Sequence, residues 1–314
     1  MAEVNIEVVR KVSDKIKALP LSSHFLTFVD NKDQFPEVGA DGVVCYFTAI
    51  TVQNYGFWIG DEKGYVRPLQ GEIGGKKLKG SDLLMALSMK AYREIGPEFF
   101  SPENLSDLSF DDFCRWIPEE FGFQDLLARY NLAVDYGRHC VRNNISLDIL
   151  VERANYSENP LGSFLGQTSA MPGYNADGFF KKNLLLAMIL ANRPEHFLKI
   201  KSDDLKYPIV DYHLMRVALR LGLISLNFAE WNLISKREWV NESFEGSIRQ
   251  KTFQAIRKII ESSNKSMSEI DFLLWSARRY CPEMTEPDCP KCALNDVCQK
   301  KIELFQPVFR TTNY

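Results

Sequence analysis

The chain has 314 residues and a mass of 36.1 kDa, enough for about two domains. Hydrophobic residues make up 45% and charged residues 25%, which excludes a disordered, collagen-like or low-complexity chain. Lys and Arg number 38 against 41 Asp and Glu, so the net charge of −3 excludes a strongly basic, coat-like nucleic-acid binder while leaving room for a local basic face.

No run of about 18 apolar residues occurs, and the longest, Leu184 to Ala191, is too short to cross a bilayer. Met1 to Arg10 carries acids and no apolar signal core. The expectation is a cytoplasmic protein with no membrane partner. Seven cysteines without a secretion signal do not suggest a disulfide framework. Cys45, Cys114 and Cys140 stand alone, whereas the other four crowd into residues 281–298.

Most segments read as helix. Glu3 to Leu19 has Val8, Val9, Val12 and Ile16 at helical spacing and stops before Pro20. Val43 to Trp58 is rich in Val, Tyr, Phe, Thr and Ile, and reads either as a strand or as a buried helix. Gly60 to Gly80 contains six glycines and reads as a short hairpin or loop with Lys76, Lys77 and Lys79 at its tip. Ser81-Asp82 reads as the cap of a helix running through Tyr92, and Ser101 and Ser109 as two further helix starts. Helices are predicted over Gln124–Arg142 and Leu147–Ala154, then a long loop over Asn159–Gly178, whose Gly, Ser, Pro and Asn content marks a functional connection. Phe179–Asn192, Val210–Leu221, Ser247–Ser262 and Ser268–Tyr280 complete the helical series. The class is mainly α, with a small β element near residues 43–70.

Cys281, Cys289, Cys292 and Cys298 have the pattern C-x7-C-x2-C-x5-C. Thiolates are soft ligands, and four of them match zinc or an iron–sulfur cluster. Zinc ribbons pair two C-x2-C knuckles, and only one is present, so a 4Fe-4S cluster is expected ahead of zinc. The spacing resembles the C-x6-C-x2-C-x5-C loop that ends the endonuclease III and adenine-glycosylase branch of the helix-hairpin-helix (HhH-GPD) DNA glycosylases. The resemblance implies a structural cluster lying near DNA.

The stretch "YPIVDYHLMRVALRLGLI", Tyr207 to Ile224, places Asp211 as a helix N-cap. Leu214, Val217, Ala218 and Leu221 follow as a buried stripe, and Gly222 as the stop. It resembles the motif V-D-x-H-V-x-R-V-x-x-R-L-G of the same glycosylases, in which the aspartate is catalytic. Val210, Asp211, His213, Arg216, Val217, Arg220, Leu221 and Gly222 match. Cleaving a base from its sugar passes through an oxocarbenium-like cation, which a carboxylate stabilises while orienting the attacking water. His213 and Arg216 are read as packing the helix.

Two features depart from that family. Its glycine-rich hairpin, L-P-G-V-G, is replaced here by "RPEHFLKIKSDDLKYP", which has no glycine. Arg193 stands where the bifunctional members carry a lysine, which implies a monofunctional enzyme without a Schiff-base step.

Over a longer span the chain also resembles the queuosine salvage nucleotide N-glycosylases. The pieces, in order, are "QNYGFW", "LKGSDLLMAL", "LSFDDF", "FFKKNLLLAMILAN", "DYHLMRVALRLGLI" and "IDFLLWSARRY". This resemblance implies a substrate site using Asn54, Phe57, Trp58 and Asp211, with Lys181 and Lys182 as a basic pair that could meet a phosphate. Core packing for the aromatics and a solvated turn for the lysines are the structural alternatives. The salvage family lacks the four-cysteine loop.

Both resemblances imply N-glycosidic hydrolysis centred on Asp211, on an HhH-GPD/queuosine-salvage-like helical fold with a C-terminal cysteine loop. The expected organisation is an N-terminal region, 1–158, a glycosylase core, 159–280, and a cluster loop with tail, 281–314. The expected substrate is DNA carrying a bulky modified base, supported by basic residues at Lys76, Lys77, Lys79, Lys300, Lys301 and Arg310. Base excision or defence against phages with hypermodified genomes is the implied setting. The alternatives are release of a 7-deazaguanine base from a free nucleotide, or a non-catalytic iron–sulfur nucleic-acid-binding module. A monomer is expected.

Overall fold

The computed structural model describes residues 2–21, 27–201 and 206–314. Among the described residues it is 52% helical, with 13 helices and little sheet, in agreement with the mainly α class. In chain order, β1 (Glu3–Val4) and α1 (Ile6–Ala18) precede α2 (Val43–Val52), which leads to β2 (Trp58–Gly60), β3 (Tyr65–Pro68), β4 (Gln70–Ile73) and β5 (Lys76–Lys79). Next come α3 (Ser81–Glu94), α4 (Pro102–Ser106), α5 (Phe110–Trp116), α6 (Leu126–Arg142), α7 (Leu147–Asn155), α8 (Pro160–Thr168) and α9 (Lys181–Asn192). The chain closes with α10 (Tyr212–Leu221), β6 (Ile224–Ser225), α11 (Phe228–Ser235), α12 (Glu242–Ser263) and α13 (Met267–Ser276).

Four sequence expectations need correction. The β element lies over residues 58–79 rather than 43–70, because Val43–Val52 is the helix α2. Nine of the ten residues of α2 are buried, so no polar face betrays a helical period. Its Thr48 and Thr51 hydroxyls donate back to the carbonyls of Val44 (2.7 Å) and Phe47 (2.5 Å), which satisfies them inside the helix. The second correction concerns the lysines, which lie on strand β5 and not at the hairpin tip. β4 and β5 pair antiparallel from Gln70↔Lys79 to Ile73↔Lys76, and Gly74-Gly75, at φ 56° and 76°, make the two-residue turn that only positive φ allows.

Third, the cap of α3 is Gly80 and not Ser81-Asp82. The Gly80 N–H donates to the Leu69 carbonyl at 3.0 Å, so the chain leaves the hairpin and enters the helix at that residue. Fourth, the expected loop 159–178 contains α8. Asn159 caps it by accepting from the Gly162 N–H at 2.8 Å, and Pro160 occupies the first turn. Ser101 and Ser109 cap α4 and α5 as expected. Within the segment that replaces the glycine-rich hairpin, residues 202–205 lie outside the described residues.

The chain forms two compact units that interleave in sequence: Met1–Phe25, Gly60–Arg67 and Leu205–Arg310, and Leu26–Ile59, Pro68–Asp204 and Thr311–Tyr314. In the first, α1 packs along α12, and Ser262 donates to the Ser13 hydroxyl at 2.9 Å. β1 pairs antiparallel with β6, Glu3 opposite Ser225, and α10 packs against α12 and α13. The core of the second unit includes an edge-to-face aromatic cluster. Phe100 meets Tyr46 at 5.1 Å and Trp116 at 5.2 Å between ring centroids, and the Trp116 indole N–H is satisfied by the Ser88 hydroxyl at 2.8 Å. No helix among the described residues is long and apolar enough to cross a membrane.

Candidate functional site

Asp211 stands where the chain enters α10. Its Oδ1 accepts the Leu214 N–H at 2.9 Å, and its carbonyl accepts the Met215 N–H at 3.0 Å. The residue is half-buried, and among the described residues nothing bonds its second carboxylate oxygen. The preceding peptide is held by Arg249 of α12, whose Nη2 and Nε donate to the Val210 carbonyl at 3.1 and 3.3 Å. Asp211 is therefore anchored on both sides while one oxygen remains available.

The helix behind it is buried on every side, not on one stripe: all ten residues of α10 are buried, including Arg216 and Arg220. Arg216 donates through Nη1 to Gln306 Oε1 and through Nη2 to His213 Nδ1, both at 2.9 Å, and its Nη2 lies 3.3 Å from a Glu283 oxygen. A neutral His213 that accepts at Nδ1 carries its proton on Nε2. His213 and Arg216 thus brace the helix against the C-terminal segment. Gly222 ends it at φ 85°, and a side chain there would run into Gln299.

The four cysteines are all half-buried in the same unit. Among the described residues no group of three or more His, Cys, Asp or Glu side chains is arranged to hold a metal ion as it stands. Cys281 and Cys298 both meet Arg220: Cys298 Sγ lies 3.5 Å from its carbonyl oxygen, and Cys281 Sγ accepts from its guanidinium. Burial pushes the Cys292 and Cys298 thiols up, and the charges of Cys281 and Cys289 push both further in the same direction. Arg220 Nη1 donates to Cys281 Sγ at 3.2 Å and to the Pro282 carbonyl at 2.8 Å, while its Nε donates to the Leu304 carbonyl at 2.9 Å. The Lys300 N–H donates to Cys298 Sγ at 3.3 Å. The sulfurs of Cys281 and Cys298 thus receive N–H donors, the kind of bond that tunes the sulfurs of a thiolate-bound cluster. The same segment closes α10, because the Gln299 and Lys301 N–H groups donate to the Leu221 and Arg220 carbonyls at 3.2 and 3.1 Å.

The remaining expected site residues lie in the second unit. Lys181 and Lys182 are buried, not on a solvated turn. Lys181 Nζ donates to the Asn54 side-chain oxygen at 2.5 Å and to its carbonyl at 2.9 Å. Lys182 Nζ donates to the Val52 carbonyl at 2.5 Å and sits 4.6 Å from the Tyr55 ring centroid. Burial, reinforced by the charges of Lys181 and Arg129, drives the Lys182 ammonium well below the usual lysine range. Phe57 and Trp58 are also buried. The Phe57 carbonyl accepts the Leu69 N–H at 3.0 Å.

Sequence reasoning missed Arg129. Fully buried on α6, it donates from Nη1 to the Gln53 carbonyl at 2.8 Å and from Nη2 to the Tyr55 carbonyl at 2.5 Å, over the Tyr55 ring. Four successive carbonyls, Val52 to Tyr55, thus each accept from a buried cation. These bonds fix the turn that leads into Phe57 and Trp58. Arg249 was also missed. The available signal was in each case an arginine at a core position of an amphipathic helix. Arg193 is buried too, held by Glu195 at 2.7 Å and by the Phe28, Pro36 and Glu37 carbonyls. No protein-family model matches this chain, and no curated protein matches it.

Proposed function

We propose that this chain is a monofunctional N-glycosylase, similar to the HhH-GPD DNA glycosylases, that hydrolyses the base–sugar bond of a bulky modified base in DNA. The observation that carries this proposal is Asp211: a carboxylate in a matching motif, anchored through one oxygen to the start of α10 and open at the other. In the reaction, the C1′–N bond breaks and its electron pair leaves with the base. The Asp211 charge stabilises the cationic sugar, and the same carboxylate orients a water and takes its proton as the oxygen bonds to C1′. The proton taken by Asp211 is then released to solvent and the departing base takes up one from solvent, so that one water is consumed and the carboxylate is restored. An iron–sulfur cluster held by Cys281, Cys289, Cys292 and Cys298 would supply local folding energy and no redox step.

The second reading, release of a 7-deazaguanine base from a free nucleotide, is favoured by the collinear sequence pieces from Gln53 to Tyr280. Base release should be measured from native modified DNA and from queuosine monophosphate. Release from DNA, leaving an intact abasic strand, supports the proposal. Release from the nucleotide alone supports the second reading. Binding without release from either substrate would leave a non-catalytic module.

A further inference from the structure

The second unit carries a cleft of about 410 Å³ that the proposed chemistry does not use. One wall is the β4–β5 hairpin, the opposite wall is α3, and the loop around Asp33 and Gln34 closes one side. Strand alternation decides which hairpin residues face it. Ile73, Lys76 and Leu78 line the cleft, while Lys77, paired opposite Glu72, belongs to the other face. From α3 come Ala86, Lys90, Arg93 and Glu94, one stripe at helical spacing.

The charges in this cleft are incompletely matched. Three cations, Lys76, Lys90 and Arg93, face two carboxylates, Asp33 and Glu94. Asp33 is shared: one oxygen bonds Lys76 Nζ at 2.7 Å and the other lies 3.9 Å from Arg93 Nη1. Among the described residues Lys90 has no hydrogen bond or ion pair. All three cations and Asp33 are exposed, so an anion from solvent reaches them without any rearrangement of the core. At the rim, the Gly74-Gly75 turn presents bare backbone with open space where side chains would stand.

The geometry points to a phosphodiester-binding groove: the cleft between the β4–β5 hairpin and α3 takes the sugar–phosphate backbone of DNA. Lys90 meets a phosphate directly. A phosphate oxygen replaces the Asp33 carboxylate between Lys76 and Arg93, so Asp33 is the internal counter-ion that DNA displaces. The groove supplies a grip in a chain whose sequence lacks the glycine-rich hairpin. It rests on the proposal that DNA is the substrate.

The test uses the full-length protein and a short fluorescent duplex, with affinity measured by anisotropy across a salt series. Each phosphate contact contributes about −0.9 to the slope of log affinity against log salt. Loss of one contact therefore makes the affinity of Lys90→Ala fall about 3.5-fold less than that of wild type between about 50 and 200 mM salt. Asp33→Asn frees Lys76 and Arg93 and should bind more tightly, with a steeper slope. Lys77→Ala, on the far face of the hairpin, should leave the slope unchanged. An unchanged slope for Lys90→Ala overturns the groove, as does a Lys77→Ala effect of equal size. Competition by a nucleoside monophosphate separates the sources of phosphate. If Lys90→Ala weakens the nucleotide but not the duplex, the assignment to DNA is lost. Base release is scored separately on the same preparations. Lys90-dependent duplex binding without release removes the glycosylase proposal and keeps the groove, whereas release with no Lys90 dependence removes the groove alone.

Discussion

Asp211→Asn separates the two jobs of one side chain. The structure uses Asp211 Oδ1 to accept the Leu214 N–H at 2.9 Å, and an asparagine offers the same oxygen. Asn and Asp are nearly equal N-caps, so the loss of stability should stay well below the roughly 1 kcal/mol of a missing cap. At about 2–4 °C per kcal/mol for domains of this size, the melting temperature should move by less than about 2 °C. The neighbouring anchors, Arg249 on the Val210 carbonyl and the Asp211 carbonyl on Met215, are backbone contacts and persist. The catalytic charge disappears. Removing one preorganised electrostatic partner costs about 10² to 10³ in rate, or about 2.7–4 kcal/mol of barrier. Asp211→Ala provides the contrast: the same loss of rate, with the cap lost as well and a melting temperature lower by about 2–4 °C. Melting temperature, duplex affinity and single-turnover base release should be measured on the same preparations. Release by Asp211→Asn near the wild-type rate would reduce Asp211 to a helix cap and remove the centre of the proposed mechanism.

Protein purified without oxygen should be brown and carry about four irons per chain, and Cys289→Ser should lose the metal and loosen the C-terminal segment. Colourless protein with one zinc would replace the cluster by the zinc alternative. Arg129→Met leaves the Gln53 and Tyr55 carbonyls without their cation, and at about 1–3 kcal/mol each the unfolding free energy should drop by about 2–6 kcal/mol in chemical denaturation. The Lys182 ammonium titrates well below 10.5 in the folded chain, so the unfolded chain binds more protons in the window between the two values. Wild-type stability should gain a rising component with pH through that window, and Lys182→Met should remove it. Identical pH profiles of the two denaturation midpoints would contradict the burial of a charge at this position.

Several features follow from the sequence alone, because their physics is local. Ser101, Ser109 and Asp211 each bond an N–H three residues ahead, Gly222 stops α10 through its own backbone, and Gly74-Gly75 closes a hairpin between adjacent strands. A residue and its partner within four positions can be recognised from spacing and chemical type. The pattern around Asp211 is of this kind, and so is the crowding of four cysteines into residues 281–298.

Tertiary structure decided what depends on distant partners. Whether Val43–Val52 is helix or strand turns on burial on all sides, which composition does not encode. Lys181 and Lys182 look solvent-facing in a list of residues. In the fold their ammonium groups meet Asn54 and Val52, 127 and 130 positions away, and become structural cations. Arg220 reaches Cys281 across 61 residues, and the two compact units interleave along the chain. The physical reason is the same throughout: a buried charge must find its compensating oxygens or sulfurs in space, and the fold supplies them from parts of the chain with no sequence relation to it.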